Sequence, residues 1–394
     1  MKMDPIALRH IRKRFFDGTH RVQSPEETYA TVKPLMGQIG VQEVIDVTHL
    51  DRLGLPVFCA IRPRAALGAT AFHAGKGKEP ILAEISAMME AVERFSAEYR
   101  GDHMEITSYE ELGIRRALDP HDLILPRSLE VGEKLHWTPS WDIINDEPIH
   151  VPSNAVFHPY DSMGMVQPLF RSDTNGLASG NVIEEAILHA VLEVVERDAL
   201  STAERDRNLG RRLLLKKDGP AREMMQMFED HGIDIHLWIL DGKTRLPTVA
   251  AAADDTVTRD PAMLVIGSGT HTSPEIAALR ALTEVAQSRG SYLQGGRNEQ
   301  VRENFLQKAG YERLKRLNKM WFADAEEICI GEVPDLSTAY IDEDIAVCLQ
   351  EIEPYSERVL VCDLTRTVVP VVRVIIPDFE VSYMDSTRTR RKEA

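Results

Sequence analysis

The strongest constraint in this sequence is a repeated pattern, E-x-x-E-R. It occurs as Glu90-Ala-Val-Glu93-Arg94 and as Glu193-Val-Val-Glu196-Arg197, and in no other segment. Both copies sit in stretches with helical periodicity. The first helix is predicted over residues 81–100, with Gly101 as its stop. At about 100° per residue, Ser86, Glu90, Glu93 and Ala97 share one face, and Met88, Val92 and Phe95 cover the other. The second helix is predicted to start after Asn181, an N-cap candidate with Glu184 three residues on, and to end near Leu200. Its stripe is Glu185, His189, Glu193 and Glu196, opposite Ile187, Leu188, Val191, Val194 and Val195.

On one helix alone, such a stripe is ordinarily the solvated face of an amphipathic helix. The repetition favours another arrangement, in which two acidic faces meet across a cleft. Carboxylates converging there would repel one another and hold protons unless cations compensated. Hard oxygen ligands suit Mg²⁺, which in turn suits nucleotide phosphates.

A third helix is predicted from Ser273, an N-cap, through Pro274 in its first turn to about Gly290. It carries Arg280, Glu284 and Gln287 on one face, with Arg289 at its end. An arginine there can hold phosphate oxygens in a fork. In a regular helix Arg289 points nearly opposite Arg280, so a structural role for it also stands. His189 has two readings, a general base or a hydrogen-bonded structural histidine. Lys76, between Gly75 and Gly77, is either a phosphate contact or a surface-turn lysine.

The 394 residues suit one large unit or two fused subdomains. Their formal net charge of -16 argues against nucleic-acid binding. The exception is the basic run Arg388, Arg390, Arg391, Lys392, which reads as a frayed, solvated tail. Residues 1–16 have no apolar run of the signal-peptide kind, and residues 368–376 are too short to span a bilayer and include Arg373. The expectation is a soluble, cytoplasmic protein without a membrane partner. Cys59, Cys329, Cys348 and Cys362 form no C-x-x-C pair and read as reduced core residues. Strand candidates are Val57–Ile61, 235–240, 248–253, 263–267, 359–363 and 371–376, with 254–261 as a hairpin connection. Strands mixed irregularly with helices predict an α+β fold of layered sheets and helices. Neither G-x-G-x-x-G nor G-x-x-x-x-G-K-[ST] is present, so a Rossmann or P-loop fold is not expected.

These segments resemble the three signatures of the YcaO family. The first is Ser86-Ala-Met-Met-Glu90-Ala-Val-Glu93-Arg94. The second is Asn181-Val-Ile-Glu-Glu185-Ala with Glu193-Val-Val-Glu196-Arg197-Asp198, and the third is Ala281-Leu-Thr-Glu284-Val-Ala-Gln287-Ser-Arg289. The resemblance covers nearly the whole chain. It implies a YcaO-type nucleotide-binding fold in one catalytic unit over residues 1–394, commonly dimeric. It implies ATP and Mg²⁺, with Glu90, Glu93, Glu193 and Glu196 at the metal. Ser86, Glu90, Asn181, Glu185, Arg197, Gln287 and Arg289 fall at the nucleotide, and Glu193, Glu196 and Arg289 at the chemistry. Arg21-Val-Gln-Ser-Pro-Glu-Glu-Thr28 resembles a weaker element that would bring Arg21 and Thr28 to the phosphates.

The chemistry so implied is activation of a peptide carbonyl oxygen by the γ-phosphoryl group of ATP. A neighbouring Cys, Ser or Thr nucleophile would give an azoline, and external sulfide would give a thioamide. Azoline-forming members usually end in Pro-x-Pro-x-Pro, whereas this sequence has Pro377-Asp-Phe-Glu-Val-Ser-Tyr-Met-Asp385 and a basic run. It also shows no fused leader-peptide-binding region. Asp46-Val-Thr-His-Leu50-Asp-Arg-Leu-Gly-Leu-Pro-Val57, Arg62-Pro63 and Gly75-Lys-Gly77 look most like YcaO proteins of methanogens. Those are linked to thioamidation of a glycine in the α subunit of methyl-coenzyme M reductase, often with a TfuA-type partner that helps deliver sulfur. The competing expectations are an azoline-forming cyclodehydratase and an ATP-binding adaptor without peptide chemistry. A di-metal redox site ranks last, because the Glu-x-x-His pairs typical of such bundles are missing from these helices.

Overall fold

A computed structural model describes residues 5–101, 105–216, 218–295 and 306–389. Its strands form three sheets. In the first, β1 (Glu43–Asp46), β2 (Val57–Ile61) and β3 (Phe72–Lys76) run antiparallel in that order. The short helix α1 (Pro25–Val32) starts at a capping box between Ser24 and Glu27 and packs beside α2 (Pro80–Ala97). Helix α2 covers β2 and β3. It comes unusually close at Gly75, where a Cβ would lie 2.0 Å from the Ala87 backbone nitrogen. Only glycine allows that approach.

The strands of the third sheet flank those of the second in chain order. Sheet three comprises β4 (Glu105–Ser108), β5 (Lys134–Asp142), β6 (Glu147–Pro152), β7 (Leu177–Ser179), β13 (Leu360–Asp363) and β14 (Val371–Ile375). Its order is β4-β5-β13-β14-β7, with β6 also paired to β5. A one-turn helix, α3 (Tyr109–Leu112), follows β4. Sheet two comprises β8 (Arg211–Leu214), β9 (Ile233–Ile239), β10 (Thr248–Asp255), β11 (Val265–Thr270) and β12 (Glu327–Cys329), in the order β11-β10-β9-β8-β12. Only the β12–β8 pairing is parallel there.

Helix α4 (Ile183–Asp206) packs on β7 and β14 from one side and on β11 from the other. Helices α5 (Pro220–Asp230) and α6 (Pro274–Gln294) cover one face of sheet two. Gly267 and Gly269 in β11 let α6 sit close, since a Cβ on either would lie within 2.5 Å of a helix carbonyl oxygen. The α+β architecture matches the sequence expectation, and the hairpin across 254–261 joins antiparallel β10 and β11.

Several local expectations change. Asn181 is not an N-cap. Val182 occupies that position without a side-chain cap, because the Asn181 side chain bonds to Thr28 and Glu185 instead. Helix α4 runs past Leu200 to Asp206, since Ala199, Leu200 and Ala203 pack against Trp238, Ala250 and Ala252. Helix α6 runs through Gly290, which packs on Val57, to Gln294. The strand expected at 263–267 is displaced to Val265–Thr270 by a 3₁₀ turn at Pro261–Met263. Cys59, Cys348 and Cys362 are buried as expected, but Cys329 is exposed at the edge strand β12. Arg388 is not frayed. It is buried, donates to the carbonyls of Leu123 (2.6 Å) and Ile124 (3.2 Å), and pairs with Asp173 at 3.1 Å. Arg390, Arg391 and Lys392 lie outside the described residues.

Candidate active site

Helices α2, α4 and α6 converge with β3 and the segment around residues 15–28 on a cavity of about 390 Å³. Arg21, Thr28, Ser86, Glu90, Glu93, Asn181, Glu185, Glu193, Glu196, Arg197 and Gln287 all line it. The acidic stripes of α2 and α4 therefore face each other, and the α4 stripe is not a solvated face. Glu185 and Glu196 are buried.

Long-range hydrogen bonds fix several of these side chains. Glu185 Oε1 accepts from the Val22 backbone N–H at 2.6 Å, and Oε2 accepts from the Asn181 backbone and side-chain amides at 2.8 and 3.0 Å. Thr28 Oγ1 lies 2.9 Å from Asn181 Oδ1. Glu185 thus clamps two loops together at the N-terminus of α4. Glu196 accepts from Ser268 Oγ at 2.8 Å and from the Thr270 N–H at 2.9 Å, both on β11. Glu93 Oε2 accepts from the Ser179 N–H at 3.1 Å. Gln287 Nε2 donates to the Ala74 carbonyl on β3.

The electrostatics divide the cavity. On the acidic side, burial pushes Glu93 up to about 8, with Arg94 opposing and the Glu193 and Glu90 charges adding to the shift. Glu193 is also raised, by burial first, against the pull of Arg197 and Arg94. Glu90 is raised by burial against Arg94, from which it is separated by 3.4 Å. Three carboxyls that resist ionisation together are an unfilled demand for positive charge. On the basic side, Lys76 Nζ pairs with Glu284 Oε2 at 2.9 Å. Burial raises Glu284, but Lys76, Arg197 and Arg280 outweigh it and leave that carboxyl below its usual value. Arg280 donates to His189 Nε2 at 3.1 Å, and burial with the nearby Arg280 lowers the imidazole well below its usual value.

Arg289 is not brought to the cavity. Its guanidinium is 1% exposed and bonds to Asp51 (2.6 and 2.9 Å) and Asp255 (3.1 Å) behind α6. The reason is the helical phase: α6 continues regularly past Arg289, so the side chain points away from Arg280. Of the two readings, the structural one matches this placement. Arg94 was not among the candidate site residues, yet it lines the cavity. Its signal was available, since it holds the same place in the first E-x-x-E-R as Arg197 holds in the second.

The residues present fit a magnesium nucleotide. Arg94 Nη1, Arg197 Nε and Arg280 Nε are buried guanidinium nitrogens without a hydrogen-bond partner among the described residues, and all three arginines line the cavity. Such donors match phosphate oxygens. Among the described residues no three carboxylate, imidazole or thiolate groups form a ready-made metal cage. That is compatible with Mg²⁺, which keeps several waters and takes one or two carboxylates together with substrate phosphates. Glu90, Glu93 and Glu193 are the carboxylates placed for this. Glu196 lines the same cavity, and each of its oxygens also accepts a hydrogen bond from β11.

Known proteins resemble this chain over most of its length. The family model for YcaO cyclodehydratase, ATP- and Mg²⁺-binding, matches residues 74–380. A protein of Methanothermobacter thermautotrophicus is 46% identical over 375 residues, covering 93% of this chain and 97% of that one. A protein of Rhizobium leguminosarum bv. trifolii, described by its place in the tfuA 3′ region, is 30% identical and covers 92% and 89% of the two chains. The structure of YcaO from Methanopyrus kandleri bound with AMPPCP and Mg²⁺ superposes with a TM-score of 0.80 at 29% identity, over 97% of this chain and 99% of that one. The facing E-x-x-E-R helices, the cavity-lining arginines and these matches lead to one conclusion: the chain belongs to the YcaO family of ATP- and Mg²⁺-dependent enzymes that activate peptide backbones.

Proposed function

We propose that this enzyme installs a thioamide, using ATP to activate a backbone amide oxygen and sulfide as the nucleophile. The substrate we assign is a glycine of the methyl-coenzyme M reductase α subunit. The observation that carries the reading is the 46% identity with the Methanothermobacter protein over almost the full length of both chains. A TfuA-type partner for sulfur delivery is supported by the name of the Rhizobium relative. A homodimer in the cytoplasm completes the proposal. Among the described residues no helix is long and apolar enough to cross a membrane.

The reaction balances as follows. The sulfur of sulfide adds to the amide carbon, and the amide oxygen takes the γ-phosphoryl group of ATP. The carbon–oxygen bond then breaks, phosphate leaves with that oxygen, and ADP and a thioamide remain. Bound Mg²⁺ supplies charge neutralisation at the phosphates. Arg94 and Arg197 each offer to phosphate oxygens an N–H that makes no hydrogen bond within the described residues. The fixed carboxylates Glu185 and Glu196 hold the Asn181 loop and β11 at the cavity wall. These contacts keep donors in place before substrate arrives, which avoids reorganisation during the reaction.

The test is mass spectrometry of a glycine-containing peptide from the reductase α subunit, incubated with this protein, MgATP and sulfide. A gain of about 16 Da, sulfur for oxygen, with ATP consumption establishes the reading; the mass follows from the exchange of one oxygen for one sulfur in the reaction above. A second reading, azoline formation, is favoured by the cyclodehydratase description of the family model. Loss of water from a Cys- or Ser-containing peptide, with no gain on the glycine peptide, would replace thioamidation by that reading. ATP bound but never consumed with either peptide would point to an adaptor.

A further inference from the structure

The α4 stripe contains one side chain that the reaction above does not use. His189 lies one turn after Glu185 and one turn before Glu193, inside the cavity. Its Nε2 is 3.1 Å from Arg280 Nη2. A guanidinium has only N–H donors and stays protonated, so Nε2 must be the acceptor. A neutral imidazole with a lone pair on Nε2 carries its hydrogen on Nδ1. No hydrogen bond occupies Nδ1 among the described residues, and the half-buried His189 side chain lines the cavity. Arg280, Arg21 and Lys76 line the same cavity, and with burial their charges favour the neutral ring. Arg280 in turn has an unpartnered buried Nε.

We propose that His189 is a phosphate-binding residue: Arg280 locks its tautomer so that Nδ1–H is a fixed donor to a nucleotide phosphate oxygen at the basic end of the cavity. This rests on the nucleotide site, not on the identity of the peptide substrate. Arg280, Arg21 and Lys76 line the cavity with His189, which suits an anionic oxygen better than a neutral peptide carbonyl. The same geometry removes His189 as a general base, because its one lone pair is occupied by Arg280.

The test is calorimetric titration of Mg²⁺–AMPPCP into the full chain and its variants, with melting temperatures as a fold control. H189A loses the donor and should weaken binding about tenfold or more, the scale of a hydrogen bond to a charged group. H189N keeps an N–H near the Nδ1 position and should recover most of that loss. H189Q places its amide near Nε2, keeps Arg280 satisfied, and should stay weak. Equal affinities for H189N and H189Q, at unchanged melting temperature, would overturn the proposal. So would unchanged nucleotide affinity in H189A with a raised KM for peptide, which would move the donor to the peptide carbonyl. Failure of thioamidation with intact nucleotide binding would sink the proposed reaction and leave His189 where it is.

Discussion

Lys76 Nζ lies 2.9 Å from Glu284 Oε2, and two residues earlier on the same strand the Ala74 carbonyl accepts from Gln287. Residues two apart on β3 meet residues three apart on α6, the spacings at which each element presents one face. This double tie holds the first sheet against α6 at the cavity wall. Replacing Lys76 by Met should therefore cost about 1–3 kcal/mol of stability at pH 7, as for a lost hydrogen bond to a charged group. Wild-type Glu284 sits below its usual value, so the stability it gives is present at neutral pH and is lost as pH falls through that lowered value. The variant should show a smaller acid-side loss in urea titrations at pH 7 and pH 4. An unchanged profile would mean the pair is not formed in solution.

Glu193→Gln keeps the side chain's size and removes its charge. Among the described residues Glu193 accepts no hydrogen bond, so the fold loses only its attraction to Arg94 and Arg197. The neighbouring Glu93 is relieved of one repelling charge. The metal-free melting temperature should hold or rise slightly, while affinity for Mg²⁺-nucleotide drops by about tenfold or more. Calorimetry beside thermal unfolding checks both. Unchanged affinity would remove Glu193 from the metal site.

Glu93 makes the metal-free protein pH-sensitive. Its carboxyl is pushed up to about 8 by burial, while in the unfolded chain it ionises near the ordinary 4.5. Between those values the folded state holds a proton that the unfolded state has released, so stability from this group falls as pH rises through the window. The metal-free melting temperature should thus be higher at pH 6 than at pH 8, and Glu93→Gln should flatten the difference. Binding of Mg²⁺-nucleotide at pH 7 should release protons, measurable by calorimetry in two buffers of different ionisation heat. No proton release and no change of slope would mean Glu93 is ionised before the metal arrives.

Arg289 joins Asp51 and Asp255, the latter also held by Arg52 at 2.6 Å. Removing the arginine leaves Asp51 without its ion-pair partner and Asp255 with Arg52 alone. Arg289→Met should cost about 3–5 kcal/mol, the usual penalty for breaking a buried pair from one side. Denaturant unfolding measures it. A variant with wild-type stability and weak nucleotide binding would instead return Arg289 to the phosphates.

The cavity was legible because its charged residues repeat at helical spacing. Ser86, Glu90 and Glu93 on one helix and Glu185, His189, Glu193 and Glu196 on another needed only the 3.6-residue period to be grouped. Strands β5 and β6 escaped notice, since Pro139, Pro148 and Pro152 interrupt the expected pattern, yet all three lie within paired strands. Arg388 escaped as well, because a basic run near a chain end looks solvated until Phe170, 3.7 Å from its guanidinium, is folded beneath it.

By itself the sequence determined the two matching acidic faces, the α+β class and the family. These follow from local periodicity and signature spacing, which are properties of contiguous residues. Only the tertiary structure decided which carboxylates remain available. Glu185 is consumed by an amide 163 residues away, Glu196 by one 74 residues away, and Arg289 by Asp51, 238 residues away. Glu90, Glu93 and Glu193 face the cavity with carboxyls that burial raises, Glu93 with one tie to the Ser179 amide. The physical reason is that a helix fixes where a side chain points, while its partner is set by whichever distant segment is packed against that face.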